Sequence, residues 1–355
     1  METELCRALL DWFDCCKRDL PWRHTHDPYR IWLSEIMLQQ TRTETVKGYY
    51  QRFLALFPTV EALAAAEEAQ VLKAWEGLGY YSRARALHAA AQRVAIERNG
   101  VFPSDFAALL KLPGVGPYSA GAVASIAFGE RVPAVDGNVY RVMARVFGVR
   151  ESVDYPKVQQ RIRELVMAQQ SSLRPGDFNQ ALMELGATLC LPLRPQCDAC
   201  PWQDACDACE EGDAELLPVH EKKKPQKVVP VAVCLLTWQG KVLVTKRTQR
   251  LLNGLYVFVL LEEETDPARV GDLLGEQGLS CGAGQTLGTA RHVFTHRIWA
   301  MTVFHYPLAK QPPAAVLEML GGKLADGEAL AALAMPAAMK AARTIAEALL
   351  DGERD

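Results

Sequence analysis

The sequence predicts two domains of unlike class, an all-α domain over residues 1–209 and an α/β domain over 227–355, joined by an exposed linker at 210–226. Three observations point there. A chain of 355 residues, 49% of them apolar, can bury more than one core. Through the first part apolar residues recur at three and four, as in Val139, Val142, Met143, Val146 and Phe147, the period of a helix with one buried face. From Val228 the texture changes to β-branched runs, VVPVAVCLLTW and KVLVTKR, and the Gln239-Gly240 between them reads as a hairpin turn.

Taken in order, the opening residues METELCRALLDWFDCCKRDL mix acids with a short apolar run and lack the basic start and long apolar stretch of a signal peptide. No run approaches the roughly 18 apolar residues of a membrane span. The expectation is a soluble, cytoplasmic protein, at the nucleoid if bacterial, whose ten cysteines are reduced or metal-bound. The stretch EEGDAELLPVHEKKKPQ (210–226) has many charges and no period, as a linker does. Beyond it, strands are expected around Thr286 to Ala290 and Arg297 to Tyr306, with a closing helix near Ala337 to Leu350.

The formal net charge of −3 argues against a broadly basic nucleic-acid binder, but the acids are unevenly placed. From Asp204 to Glu221 there are seven acids and no Lys or Arg, whereas residues 1–203 carry 23 Lys+Arg against 22 Asp+Glu. Overall charge therefore leaves DNA binding undecided.

Four of the cysteines fall within CLPLRPQCDACPWQDAC (190–206), and Cys209 follows. Thiolates this dense repel one another and imply a cation or cluster that neutralises them. The spacing fits two groups. Cys197, Cys200, Cys206 and Cys209 form C-x2-C-x5-C-x2-C, a zinc pattern with a short spacer. Cys190, Cys197, Cys200 and Cys206 form C-x6-C-x2-C-x5-C, with a proline after Cys200 as in some iron-sulfur runs.

Upstream, LPGVGPYSAGAVASIAFG (112–129) opens a helix from a tight turn in which Gly114, Val115 and Gly116 precede Pro117. Such a turn aims free amides at whatever lies before the helix, and phosphate is a natural ligand there. Alone, it is equally a plain helical hairpin. Followed by VDGNV (135–139) and then the cysteines, it resembles the helix-hairpin-helix DNA glycosylase superfamily. With LSEIMLQQT (33–41), GLGYYSRAR (77–85) and the second domain, the likeness narrows to the MutY family of adenine DNA glycosylases and covers nearly the whole chain.

That resemblance implies a helix-hairpin-helix domain with a [4Fe-4S] cluster on Cys190, Cys197, Cys200 and Cys206, followed by a MutT-like (Nudix) domain. Cys209 is then spare, and Arg194 is a candidate phosphate contact. The activity implied is hydrolysis of the N-glycosidic bond of adenine mispaired with 8-oxoguanine or guanine in duplex DNA, by a monomer engaged in base excision repair.

Breaking such a bond calls for an acid at the leaving base and an anion near the sugar. Glu35 lies in IWLSEIML, apolar on nearly every side, where burial would keep a carboxyl protonated. Pairing at the rim with Arg30 or Arg42 is the plainer alternative. Asp136 precedes a helix, where an N-cap role is the common one and stabilisation of positive charge a second. The resemblance makes Glu35 the acid that protonates adenine and then activates water. It makes Asp136 the carboxylate facing the anomeric carbon, and it has Asn138 orient the site. Tyr118 stands where strand-cutting relatives have a Schiff-base lysine, which implies a monofunctional enzyme.

The same resemblance puts Gln40, Thr41, Leu78 and Tyr80, with Gly114, Val115 and Gly116, against DNA. Trp22, Arg23, Leu38 and Gln180 line the adenine pocket, and Phe294, Thr295 and His296 recognise 8-oxoguanine. Threonine replaces the family's serine in that last triplet. LEEE (261–264) lacks the spacing of a Nudix pyrophosphatase box, so no metal-dependent hydrolysis is expected of the second domain. An endonuclease III-like lyase and a catalytically silent, zinc-bearing DNA binder are the competing readings.

Overall fold

In the computed structural model, residues 2–222 and 225–352 are described. The chain divides into two compact units, Met1–Glu67 with Ser82–Lys223 and Glu68–Tyr81 with Lys224–Asp355. The first is helical and the second is built on a mixed sheet, as the change of texture predicts.

In the first unit each helix around the cleft has a local reason to start where it does. Asp27 caps Pro28–Leu38, its carboxylate accepting from Tyr29 N at 2.9 Å, and a proline occupies the first turn. Pro117 and Pro175 likewise open Pro117–Phe128 and Pro175–Thr188. The Pro28–Leu38 helix packs on Pro117–Phe128, and Pro175–Thr188 packs on both Pro117–Phe128 and Gly137–Val146. Gly186 makes the last crossing close, since a Cβ there would lie 2.6 Å from Asn138 Cβ. Behind the crossing, Leu9, Phe13, Val139, Val142, Phe178 and Leu185 form one core. Trp202 closes it from the cysteine-rich segment and donates to Leu5 O at 2.8 Å.

The second unit holds six strands, β1 Lys227–Trp238, β2 Lys241–Lys246, β3 Tyr256–Glu262, β4 Gln285–Val293, β5 Arg297–Pro307 and β6 Gly322–Ala325. Their order is β4-β5-β1-β3-β2-β6, with β1 and β5 parallel and the remaining neighbours antiparallel. Alternation along β1 sends Val229, Val231, Val233 and Leu235 to the face covered by Lys340–Gly352. Ala232, Cys234 and Leu236 face Pro267–Glu276. Gln239 and Gly240 both take positive φ, +48° and +71°, the geometry of the tight β1–β2 hairpin expected from the sequence.

Two segments differ from the sequence expectation. Residues 68–81, read as part of the helical domain, join the second unit. Lys73 Nζ donates to Ala331 O (2.7 Å) and Leu333 O (3.1 Å), and Glu76 Oε1 accepts from Met335 N (3.1 Å) and Arg343 Nη1 (3.2 Å). Tyr81 Oη donates to Met335 O at 3.1 Å. The start of the expected linker is folded onto the first unit: Leu217 is buried and its carbonyl accepts from Arg145 Nε, while Val219 O accepts from Val153 N. The rest of 210–226 includes positions outside the described residues. Among the described residues no helix is long and apolar enough to cross a membrane.

Candidate active site

A cleft of about 530 Å³ opens in the first unit, within the size range of small-ligand sites. Trp22, Arg23, Glu35, Leu38, Gln40, Thr41, Gly116, Tyr118, Asp136, Asn138 and Gln180 all line it, so residues far apart in the chain meet there.

Glu35 comes from the Pro28–Leu38 helix and is 4% exposed. Burial pushes its carboxyl up to about 7; the Tyr118 hydrogen bond and Arg23 pull down, and the Asp136 charge adds to the rise. Tyr118 Oη donates to Glu35 Oε2 at 2.5 Å. Arg30 pairs with Asp27 instead, at 3.6 Å. Asp136 caps Gly137–Val146, accepting from Val139 N at 2.8 Å and from Asn138 Nδ2 at 3.0 Å. Burial raises its carboxyl too, opposed by these same hydrogen bonds. Asn138 Oδ1 accepts from Arg141 Nη2 at 2.8 Å, and Arg141 also donates to Gly186 O and Cys190 O.

Glu184 and Met183 also line the cleft, and Arg83 holds the end of a helix that forms it, roles that local sequence pattern does not assign. Glu184, buried on the Pro175–Thr188 helix, accepts from Arg18 (Nε 2.7 Å, Nη2 2.8 Å) and from Arg23 Nη2 (2.8 Å). Burial opposes ionisation, but the two guanidinium groups prevail and hold its carboxyl near 2. Arg23 is thereby fixed beside Trp22, itself buried edge-on to Tyr50. Arg83 caps the end of the Glu35 helix, donating to Ile36 O, Met37 O and Gln39 O just before Gln40, whose φ is +55°. Met183 Sδ lies 3.2 Å from Tyr118 Oη. An acid in the apolar run NQALMELGA, four positions after Gln180, was the available signal for Glu184.

Gly114 takes φ +71°, and a Cβ there would meet Ala86 Cβ at 2.4 Å, so the turn before Pro117–Phe128 requires glycine. Val115 is buried beside it. Leu78 and Tyr80 do not line the cleft. They belong to the second unit, Leu78 buried and Tyr80 half exposed with φ +46°. Phe294, Thr295 and His296 form the turn between β4 and β5, with Phe294 stacked edge-on against Trp299 and Thr295 and His296 exposed. Within that unit the Tyr80 and Thr295 hydroxyls are 3.5 Å apart. The acidic run at the end of β3 is engaged in ion pairs, Glu262 with Arg247 and Arg297, and Glu263 with Lys227.

Cys190, Cys197, Cys200, Cys206 and Cys209 line one small pocket beside the first core. Burial pushes the Cys197 thiol up to about 11 and Cys200 to about 12, and neighbouring thiols add to both. Buried Arg145 donates to Cys190 Sγ at 3.2 Å, and to Leu191 O and Pro192 O. Among the described residues no group of three or more His, Cys, Asp or Glu side chains is drawn together tightly enough to hold a metal ion. The donor set of soft thiols sharing a pocket with a buried cation still fits an anionic, thiolate-bound group.

Residues 33–168 match the model of the HhH-GPD superfamily of base excision DNA repair proteins, and residues 232–344 match the NUDIX domain. An adenine DNA glycosylase of Mus musculus is 34% identical over 371 residues, covering 86% of this chain and 72% of its own length. The chain belongs to the adenine DNA glycosylase family. The Arabidopsis thaliana member is 36% identical over 353 residues, covering 83% of this chain and 56% of its own length. Against several members the chain spans about half their length. A thermostable thymine-DNA glycosylase of known structure superposes with a TM-score of 0.54 at 31% identity, over 58% of this chain and 95% of that one. The helical unit accordingly has the fold of this glycosylase superfamily, and the sheet unit that of a Nudix domain.

Proposed function

We propose that the chain is a monofunctional glycosylase that hydrolyses the N-glycosidic bond of adenine opposite 8-oxoguanine or guanine in duplex DNA. The observation that carries this reading is a pair of carboxyls on the wall of one cleft, Glu35 held by the Tyr118 hydroxyl and Asp136 by Val139 N and Asn138. An adenine turned out of the helix into that cleft meets both.

Glu35, neutral below about pH 7, donates its proton to the leaving base, so that adenine departs uncharged. Asp136, ionised and oriented by Val139 N and Asn138, offsets the positive charge that grows on the deoxyribose as the C–N bond lengthens. Glu35, now a carboxylate, takes a proton from the water that adds to the anomeric carbon, and the active form is restored. Tyr118 offers no amine for a Schiff base, so the strand is left uncut. Trp22, Arg23, Leu38 and Gln180 supply the walls against which the base is held. Gln40, Thr41, Gly114, Val115, Gly116, Leu78 and Tyr80 are proposed DNA contacts.

Cys190, Cys197, Cys200 and Cys206 are proposed to hold a [4Fe-4S] cluster, which supplies a core that neutralises four thiolates and is not needed for base removal. The loop from Cys197 to Cys206, with Arg194, is then held for contact with the phosphate backbone. The protein is proposed to work as a monomer in the cytoplasm.

The test is single-turnover adenine release from A:8-oxoG and A:G duplexes with a T:A duplex as control. Release from the mispairs alone is expected, with no borohydride-trapped adduct. Equal release from all three, or strong trapping, would overturn the reading. Rates should fall as pH rises through about 7, because Glu35 loses the proton it must donate. Replacing Thr295 with Ala removes a hydroxyl from the exposed turn proposed to read the oxidised base. The preference for A:8-oxoG over A:G should drop about five- to ten-fold, the worth of one hydrogen bond.

A further inference from the structure

Tyr118 has one hydroxyl hydrogen and two acceptors within reach, Glu35 Oε2 at 2.5 Å and Met183 Sδ at 3.2 Å. A thioether sulfur accepts weakly and never donates. The three side chains come from three helices, Pro28–Leu38, Pro117–Phe128 and Pro175–Thr188, and meet in the cleft. The phenol stays neutral, because burial and the nearby Glu35 and Asp136 charges push its ionisation well above the ordinary tyrosine value.

The two protonation states of Glu35 use this arrangement differently. When Glu35 is ionised, the Tyr118 O–H donates to it and Met183 receives nothing. When Glu35 is protonated, its own O–H donates to the Tyr118 oxygen, and the tyrosine hydrogen turns to Met183 Sδ. Every donor is then satisfied. Without the sulfur, two hydrogens would compete for a single oxygen–oxygen contact beside a carboxyl that is only 4% exposed, and one of them would go unmet. The sulfur therefore stabilises one state and not the other.

We propose that Met183 is a positioning residue that favours the proton-donating form of Glu35 by giving Tyr118 a second acceptor. This rests on the reading of Glu35 as the acid. Two other charged groups act on the carboxyl: Arg23 from the Pro21–Arg23 turn favours the ionised form, and Asp136 at the head of Gly137–Val146 opposes it. Glu184, next to Met183, is neutralised by Arg18 and Arg23. None of these changes when Met183 is replaced.

The experiment compares the parent with Met183→Leu, which keeps volume and removes the acceptor, and Met183→Gln, which supplies an oxygen acceptor. The protonated-carboxyl infrared band that disappears in Glu35→Gln is titrated in DNA-free protein between about pH 4 and 9. Met183→Leu should lower the midpoint by about half a unit, and Met183→Gln should return it to the parent value or above. In a Tyr118→Phe background the exchange of Met183 for Leu should shift nothing. The alkaline limb of adenine release should move by the same half unit. An unmoved midpoint in Met183→Leu, or a shift that persists without the Tyr118 hydroxyl, overturns the proposal. The titration needs neither DNA nor turnover, so it decides the role of Met183 even if the parent protein releases no adenine, a result that would count against the glycosylase reading alone.

Discussion

Replacing Asp136 with Asn is expected to slow adenine release by about a thousand-fold or more while leaving duplex affinity within a few-fold of the parent. On the proposed mechanism the charge is lost where positive charge develops, in a site whose burial makes each unit of charge count. The fold is spared, because asparagine caps a helix as well as aspartate and can still accept from Val139 N. Only Asn138 must adjust, since its Nδ2 now donates to an Asp136 oxygen. Single-turnover kinetics beside an equilibrium binding titration separate the two effects. Turnover within ten-fold of the parent would remove Asp136 from the mechanism.

Replacing Glu35 with Gln should cost about two to four orders of magnitude in rate and at the same time make the protein more stable at alkaline pH. The carboxyl sits at about 7 in the folded protein against an ordinary value of 4.5. A raised carboxyl favours folding less as pH climbs: nothing is lost below about 4.5, and the full penalty is present above about 7. The penalty at pH 8 is on the order of 3 kcal/mol at most. Glutamine carries no such penalty. Urea unfolding at pH 8 should therefore show a gain for Glu35→Gln that shrinks toward zero near pH 4. A gain of equal size at both pH values would mean that Glu35 is not the group that titrates.

Much of this architecture is legible in local pattern. The switch from a period near 3.6 to β-branched runs marks the change of class, and Gln239-Gly240 announces the β1–β2 hairpin because two successive residues there must take positive φ. The cysteine spacing foretells the shared thiol pocket. Strand β3 leaves no such mark, because YVFVLLE is apolar at successive positions, with no alternation to separate it from ordinary core. Contacts made across long stretches of chain left no local mark. Glu184 receives its two arginines from more than 160 positions upstream, and Met183 reaches Tyr118 from another helix. Residues 210–222 look like a linker because their charges are visible in sequence while the carbonyls of Leu217 and Val219 that anchor them are not.

The membership of residues 68–81 has a consequence for anyone who would take this protein apart. A fragment ending at residue 222 keeps Lys73, Glu76 and Tyr81 but discards the carbonyls, amide and guanidinium at 331–343 to which they bind. Modular exchange between homologues meets the same obstacle, because a C-terminal cassette grafted at the apparent junction arrives without the short piece of upstream sequence that completes it. The seam along which the molecule can be divided runs through three points of the chain, and a chimera that respects all three should express as folded protein where a single-junction one precipitates.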